Sequence, residues 1–266
     1  MSNIESNFLT YAVISYLISM VFYFIFAAFK KDGIGRAATS ILVLGFILQT
    51  VSILARIAAS GRMPFANLYE SMTSFAWGIV LIYLIVEITN KTKSIGVVVV
   101  PIGFLAALYA STLNKEIEPL MPALKSNWLL FHVGVAVAAY GAFAVSAGTA
   151  ALYLLKDYLN IKFIPSKEKL DALTYKMIAF ALPFMTLVII TGAIWAEEAW
   201  GRYWSWDPKE TWSLITWLIY LGYMHARLVL KWRGRMAAWL ALIGFIAVIF
   251  TYLGVNLLLS GLHSYA

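Results

Sequence analysis

Three histidines stand among the 266 residues, at positions 132, 225 and 263, and six of the ten tryptophans fall between 195 and 217. The six are Trp195, Trp200, Trp204, Trp206, Trp212 and Trp217. Neutral imidazole is the commonest metal-binding side chain, and indole faces stack on large flat apolar ligands. The chain has no cysteine. Disulfide exchange, thiolate ligation and self-attachment of a ligand through Cys-x-x-Cys-His are therefore excluded.

The elements that position these residues must lie in lipid. The chain is 62% hydrophobic and 12% charged, where a soluble domain carries about 25% charged residues. Apolar runs at 8–29, 37–58, 71–90, 95–113, 128–155, 174–194, 211–230 and 237–259 each approach the roughly 20 residues that span a hydrocarbon core. The expected fold is an all-α polytopic membrane protein of about eight transmembrane helices, one transmembrane domain over residues 1–266. Residues 1–7 carry no Lys or Arg and the first run is long enough to span, so the N-terminus does not read as a signal peptide. The net charge of +7 sits in short clusters between the apolar runs, which fits membrane orientation and not nucleic-acid binding. One set of loops holds 14 of the 20 Lys and Arg, in 30–36, 91–93, 156–176 and 227–235. With that side inside, both termini face outside. Gly134, Ala138 and Ala142 recur every four residues on the fifth span, a face suited to close helix packing.

In that orientation the external loop over 195–210 joins spans six and seven on the outer side. The indoles read either as an interfacial aromatic belt or as a ligand platform; a belt would spread over all loops on both faces, so one loop this rich favours the platform. Asp207-Pro208-Lys209-Glu210 places an acceptor at the N-cap, Pro at the first helical position and Glu at the third, so Asp207, Pro208 and Glu210 first of all start span seven. Asn67-Leu-Tyr-Glu70, after Pro64, reads as a second cap. His132, about one turn into span five, and His263, just after span eight, lie at the same face as the loop. Two neutral imidazoles on opposite faces of a porphyrin give a six-coordinate iron, which makes haem the ligand this constellation suits. Arg202 in the loop could pair with the propionates, as more weakly could Lys209, Arg62 and Arg56; Arg56, near the end of its span, could instead snorkel to water. His225 lies about four turns from the Trp end of span seven. It is either a structural hydrogen-bonder or one ligand of a site completed by another polypeptide.

Trp200-Gly-Arg-Tyr-Trp-Ser-Trp-Asp-Pro-Lys-Glu-Thr-Trp212 resembles the WWD signature of haem-handling proteins. Its Pro-Lys-Glu-Thr-Trp ending, with Ser126-Asn-Trp-Leu-Leu-Phe-His132 and Gly261-Leu-His-Ser-Tyr265, is similar to the CcsA/ResC family of system II cytochrome c biogenesis. The likeness runs from the Asn-Leu-Tyr-Glu-Ser loop to the C-terminus. It implies that His132 and His263 ligate haem b at the outer face, that Trp195, Trp200, Gly201, Trp204, Trp206 and Asp207 form the haem-contacting loop, and that His225 is a membrane-embedded ligand paired with a His of a CcsB/ResB-type subunit. It further implies that the pair acts as a holocytochrome c synthase, attaching haem to the Cys-x-x-Cys-His of an apocytochrome c. A bacterial cytoplasmic membrane is the expected location, with the thylakoid as the alternative. Rival readings are a system I haem handler of the CcmC or CcmF type, a cytochrome b-like electron carrier, for which three His cannot fill two bis-His sites, and a transporter without haem.

Overall fold

A computed structural model describes residues 2–159, 161, 163–259 and 261. The helices are α1 (Ser2–Phe29), α2 (Asp32–Ser60), α3 (Leu68–Asn90), α4 (Gly96–Thr112), α5 (Asn127–Leu159), α6 (Lys167–Trp200), α7 (Pro208–Leu228), α8 (Arg235–Ile249) and α9 (Val255–Leu258). A π-turn at Phe250–Gly254 links α8 to α9. All regular structure among the described residues is helical, which pairs the backbone groups within each segment where lipid offers them no hydrogen-bond partners.

Seven helical segments are long and apolar enough to cross a membrane: α1, α2, α3, α5, α6, α4 with the turn before it (Lys93–Thr112), and α8 continued through α9 (Arg235–Leu258). The expected count of about eight differs by α7. Its 21 residues suffice in length, but Thr211, Ser213, Thr216, Tyr220, Tyr223, His225 and Arg227 dilute its apolar content. Several helices overrun their apolar stretches because caps, not hydropathy, end them. α6 runs on to Trp200, where Gly201 adopts a left-handed conformation (φ 72°) and its N–H closes on the Glu197 carbonyl. The irregular stretch after α6 is thereby shortened to 201–207.

The described residues form two compact units. One comprises residues 1–118 and 160–165, the other 119–159 and 166–266. In the first, α1 packs on α2 and α4, and α3 on α4. Asn67 caps α3, accepting the Glu70 N–H at 2.9 Å. Arg56 does not snorkel. It is 2% exposed, pairs with Glu70 at 2.8 Å and Glu5 at 3.4 Å, and donates to the Lys115 and Glu116 carbonyls. Arg62 pairs with the same Glu70 at 2.8 Å. The Arg56 guanidinium is thus committed to protein acceptors through all three of its nitrogens. Glu87, also buried, accepts hydroxyls from Tyr23, Thr39 and Tyr83.

In the second unit α5 lies along α6 and α8, and α7 packs on α8. The closely packed stretch of α5 is Ala139–Ala150, entirely buried. Of the small residues expected to form a packing face, Ala142 is fully buried, while Gly134 is exposed with open space at its Cβ position. At the end of α7, Arg227 forms a forked pair with Asp171 of α6. Asp171 also takes the Gly234 N–H at 2.9 Å, tying the α7–α8 turn to α6.

Candidate functional site

The Trp-rich segment is built around one carboxylate. Glu210 Oε2 accepts the N–H of Ser205 at 2.8 Å and of Asp207 at 3.2 Å. Asp207 Oδ1 accepts the Lys209 N–H at 3.0 Å, and the reciprocal capping box is complete with Pro208 at the first helical position. The local sequence thus fixes where the chain turns from loop into α7. Between the anchored residues Ser205 and Asp207, Trp206 holds φ 59° and is 68% exposed. That conformation costs a bulky residue about 1–2 kcal/mol. Trp204 meets Trp206 edge-to-face at 5.7 Å. Tyr203 and Arg202 are exposed beside them.

Trp195 has another environment. It lies within α6, 2% exposed, and its Nε1–H donates to the Ala123 carbonyl at 2.8 Å. Trp200 packs edge-on against it at 5.0 Å. His132 also lies near Trp195, with ring centroids 6.2 Å apart and planes inclined by 29°. His132 Nδ1 is 2.8 Å from the Val188 carbonyl oxygen. A carbonyl only accepts, so Nδ1 carries the proton, and in the neutral ring Nε2 is the lone-pair nitrogen. Ser126, at the start of α5, donates to Glu198 at 2.5 Å and holds the α5 and α6 ends together there. His132, Trp195 and Trp200 are therefore one contiguous cluster at the end of α6 that leads into the loop.

The other predicted residues divide. His263 lies outside the described residues. Gly261, two positions earlier, packs so closely on Asp207 that a Cβ there would meet the Asp207 carboxylate and approach Pro208 Cδ to 3.2 Å. Lys209 does not point at the loop's indoles; its Nζ donates to Asn256 Oδ1 of α9 at 2.8 Å. His225 is on the exposed face of α7 with Leu218, Leu221 and Leu228, and is not brought near His132 by any described contact. Its opposite face, Thr216, Tyr220 and Tyr223, is buried. Sequence reasoning missed Gly192 of α6, whose bare Cα faces the His132 ring. Its place four residues after Val188, one helical turn, is the signal that a known α5–α6 pairing would have exposed.

Comparison with known proteins gives the family of this chain. The family model of the cytochrome c assembly protein matches residues 65–263. A cytochrome c biogenesis protein CcsA of Guillardia theta is 40% identical over 98% of this chain and 95% of its own length. Its namesake from Microcystis aeruginosa is 36% identical over 93% of each chain. Among solved structures, the cytochrome c heme lyase CcmF matches with a TM-score of 0.74 at 17% identity, over 94% of this chain and 46% of that one, a likeness of fold. With a family model spanning the Trp loop and relatives aligned from end to end, this chain belongs to the cytochrome c assembly protein family, as a CcsA-type membrane protein of cytochrome c biogenesis.

Proposed function

We propose that this chain binds haem b as its cargo at the outer face of the membrane and, with a CcsB/ResB-type subunit, presents it to an apocytochrome c. One observation carries the reading: the Val188 carbonyl keeps the proton of His132 on Nδ1, which leaves Nε2 as the nitrogen suited to ligate an iron. The indoles next to that ring supply the flat apolar contacts that a porphyrin needs. Gly261 against Asp207 supports a second ligand from the C-terminal segment, His263.

In this reading both termini and the loop face the periplasm or lumen, of a bacterial cytoplasmic membrane or its thylakoid counterpart. Trp204, Trp206 and Trp200 hold the ring, and Arg202 is placed to meet a propionate. His225 serves a different site. A polar imidazole exposed on a membrane helix is costly in lipid, so its exposure favours a partner helix that supplies the companion ligand. The thiols come from the apocytochrome, consistent with a chain that has no cysteine. What this protein contributes is ligation and orientation of the cargo.

The test is maturation of a reporter cytochrome c in a host lacking its own assembly system. The chain and its partner together are expected to yield covalent haem, with loss of that yield in the His132→Ala, His263→Ala double variant. Full yield from the double variant would refute the proposal.

A further inference from the structure

We infer that Gly192 is a positioning residue for His132, leaving room on α6 for the imidazole to lie against helix backbone. The inference rests on the reading of His132 as a haem ligand. A Cβ at residue 192 would stand 2.8 Å from His132 Cε1 and 2.9 Å from Nδ1, and the three nearest atoms to it all belong to that ring. Non-bonded carbon atoms rest at about 3.5–4.0 Å, so an alanine methyl and the imidazole cannot both occupy their places. Moving aside would cost the ring its present contacts. Its Nδ1–H is held by Val188, and Trp195 lies 6.2 Å from it, inclined by 29°. Residues 188 and 192 are one turn apart, so the carbonyl that accepts from His132 is also the one the residue 192 N–H addresses in the helical ladder. A carbonyl oxygen has lone pairs for both donors.

The glycine therefore does not serve close approach of two helix backbones, the ordinary use of small residues between membrane helices. It makes a notch for one side chain. Alanine would be the better helix former at this position, and glycine stands there instead. The notch sets the plane of the ring and keeps its proton on Nδ1. It thereby sets the direction of the Nε2 lone pair. Gly134, two residues beyond His132 on α5, has open space at its Cβ position and provides the matched control.

The experiment uses the full chain, purified in detergent and loaded with haem b, and reads the absorption spectrum together with the amount of folded protein. Gly192→Ala is expected to lose the low-spin bands of a bis-imidazole haem, and added imidazole to bring them back. Gly134→Ala is expected to keep the wild-type spectrum. In a His132→Ala background, where no ring remains to collide with, Gly192→Ala should change neither spectrum nor accumulation. A wild-type spectrum for Gly192→Ala at equal haem occupancy overturns the inference. So does an equal loss of folded protein from Gly192→Ala in both backgrounds, which would mark the glycine as a packing residue. A His132→Ala variant with the wild-type spectrum would instead refute the ligand role itself, and the comparison of accumulation in the two backgrounds would still decide the claim about Gly192.

Discussion

Glu210 Oε2 lies 2.8 Å from the backbone nitrogen of Ser205 and 3.2 Å from that of Asp207, so a single helix-capping carboxylate brackets Trp206. Removing it should free both sides of the indole loop at once. Glu210→Ala is expected to lower haem affinity about tenfold, as loss of a charge-assisted hydrogen bond to a positioned loop would. Glu210→Gln, which keeps an acceptor, should lose less. Titration of the purified variants with haem measures both. Wild-type affinity in the alanine variant would show that the cap and the platform are independent.

Trp206 separates stability from binding. Its left-handed backbone (φ 59°) suits glycine, which adopts that region at no steric cost. Trp206→Gly should therefore leave the melting temperature unchanged or raise it slightly, while haem affinity falls. A variant that binds haem as well as wild type would remove this indole from the platform.

The Arg56 network should be structural. With Glu5 and Glu70 buried around it, Arg56→Ala strips Glu5 of its counter-charge and leaves Glu70 with Arg62 alone, a loss of about 3–5 kcal/mol for a broken buried pair. The expected result is a large fall in thermal stability in detergent, with haem affinity per folded molecule unchanged. Unchanged stability with impaired haem binding would return Arg56 to the set of propionate partners.

His225 should behave in the opposite way. Because it is exposed on α7, His225→Ala is expected to shift stability of the isolated chain by no more than about 0.5 kcal/mol. Cytochrome c yield in cells that also express the partner subunit should nevertheless drop sharply. Normal yield would make His225 a bystander.

These residues also show where a sequence is legible. Hydropathy located seven of the eight expected spans, because lipid imposes length and apolarity on each of them. The Asp207–Glu210 box and the Asn67 cap were legible because they are local, three residues end to end. Trp195 reads in sequence like its neighbours in the loop, yet the helix continues past it and turns it into the core. What ends α6 is the left-handed Gly201, and nothing in the indole spacing reveals that. Arg56 looked like a span-end residue free to reach water. Its partners Glu5 and Glu70 lie 51 and 14 residues away, on helices whose pairing no periodicity specifies when the spans are apolar all round. Gly192 was invisible for the same reason: its meaning lies in a ring 60 positions earlier, on another helix.

The most direct test is the spectrum of the purified chain carrying His132→Gly, recorded with haem b before and after addition of imidazole. The account predicts that the variant loses the low-spin bands of the wild type and that free imidazole, entering the space the side chain vacated, restores them. Low-spin bands that persist in the variant without imidazole would contradict it.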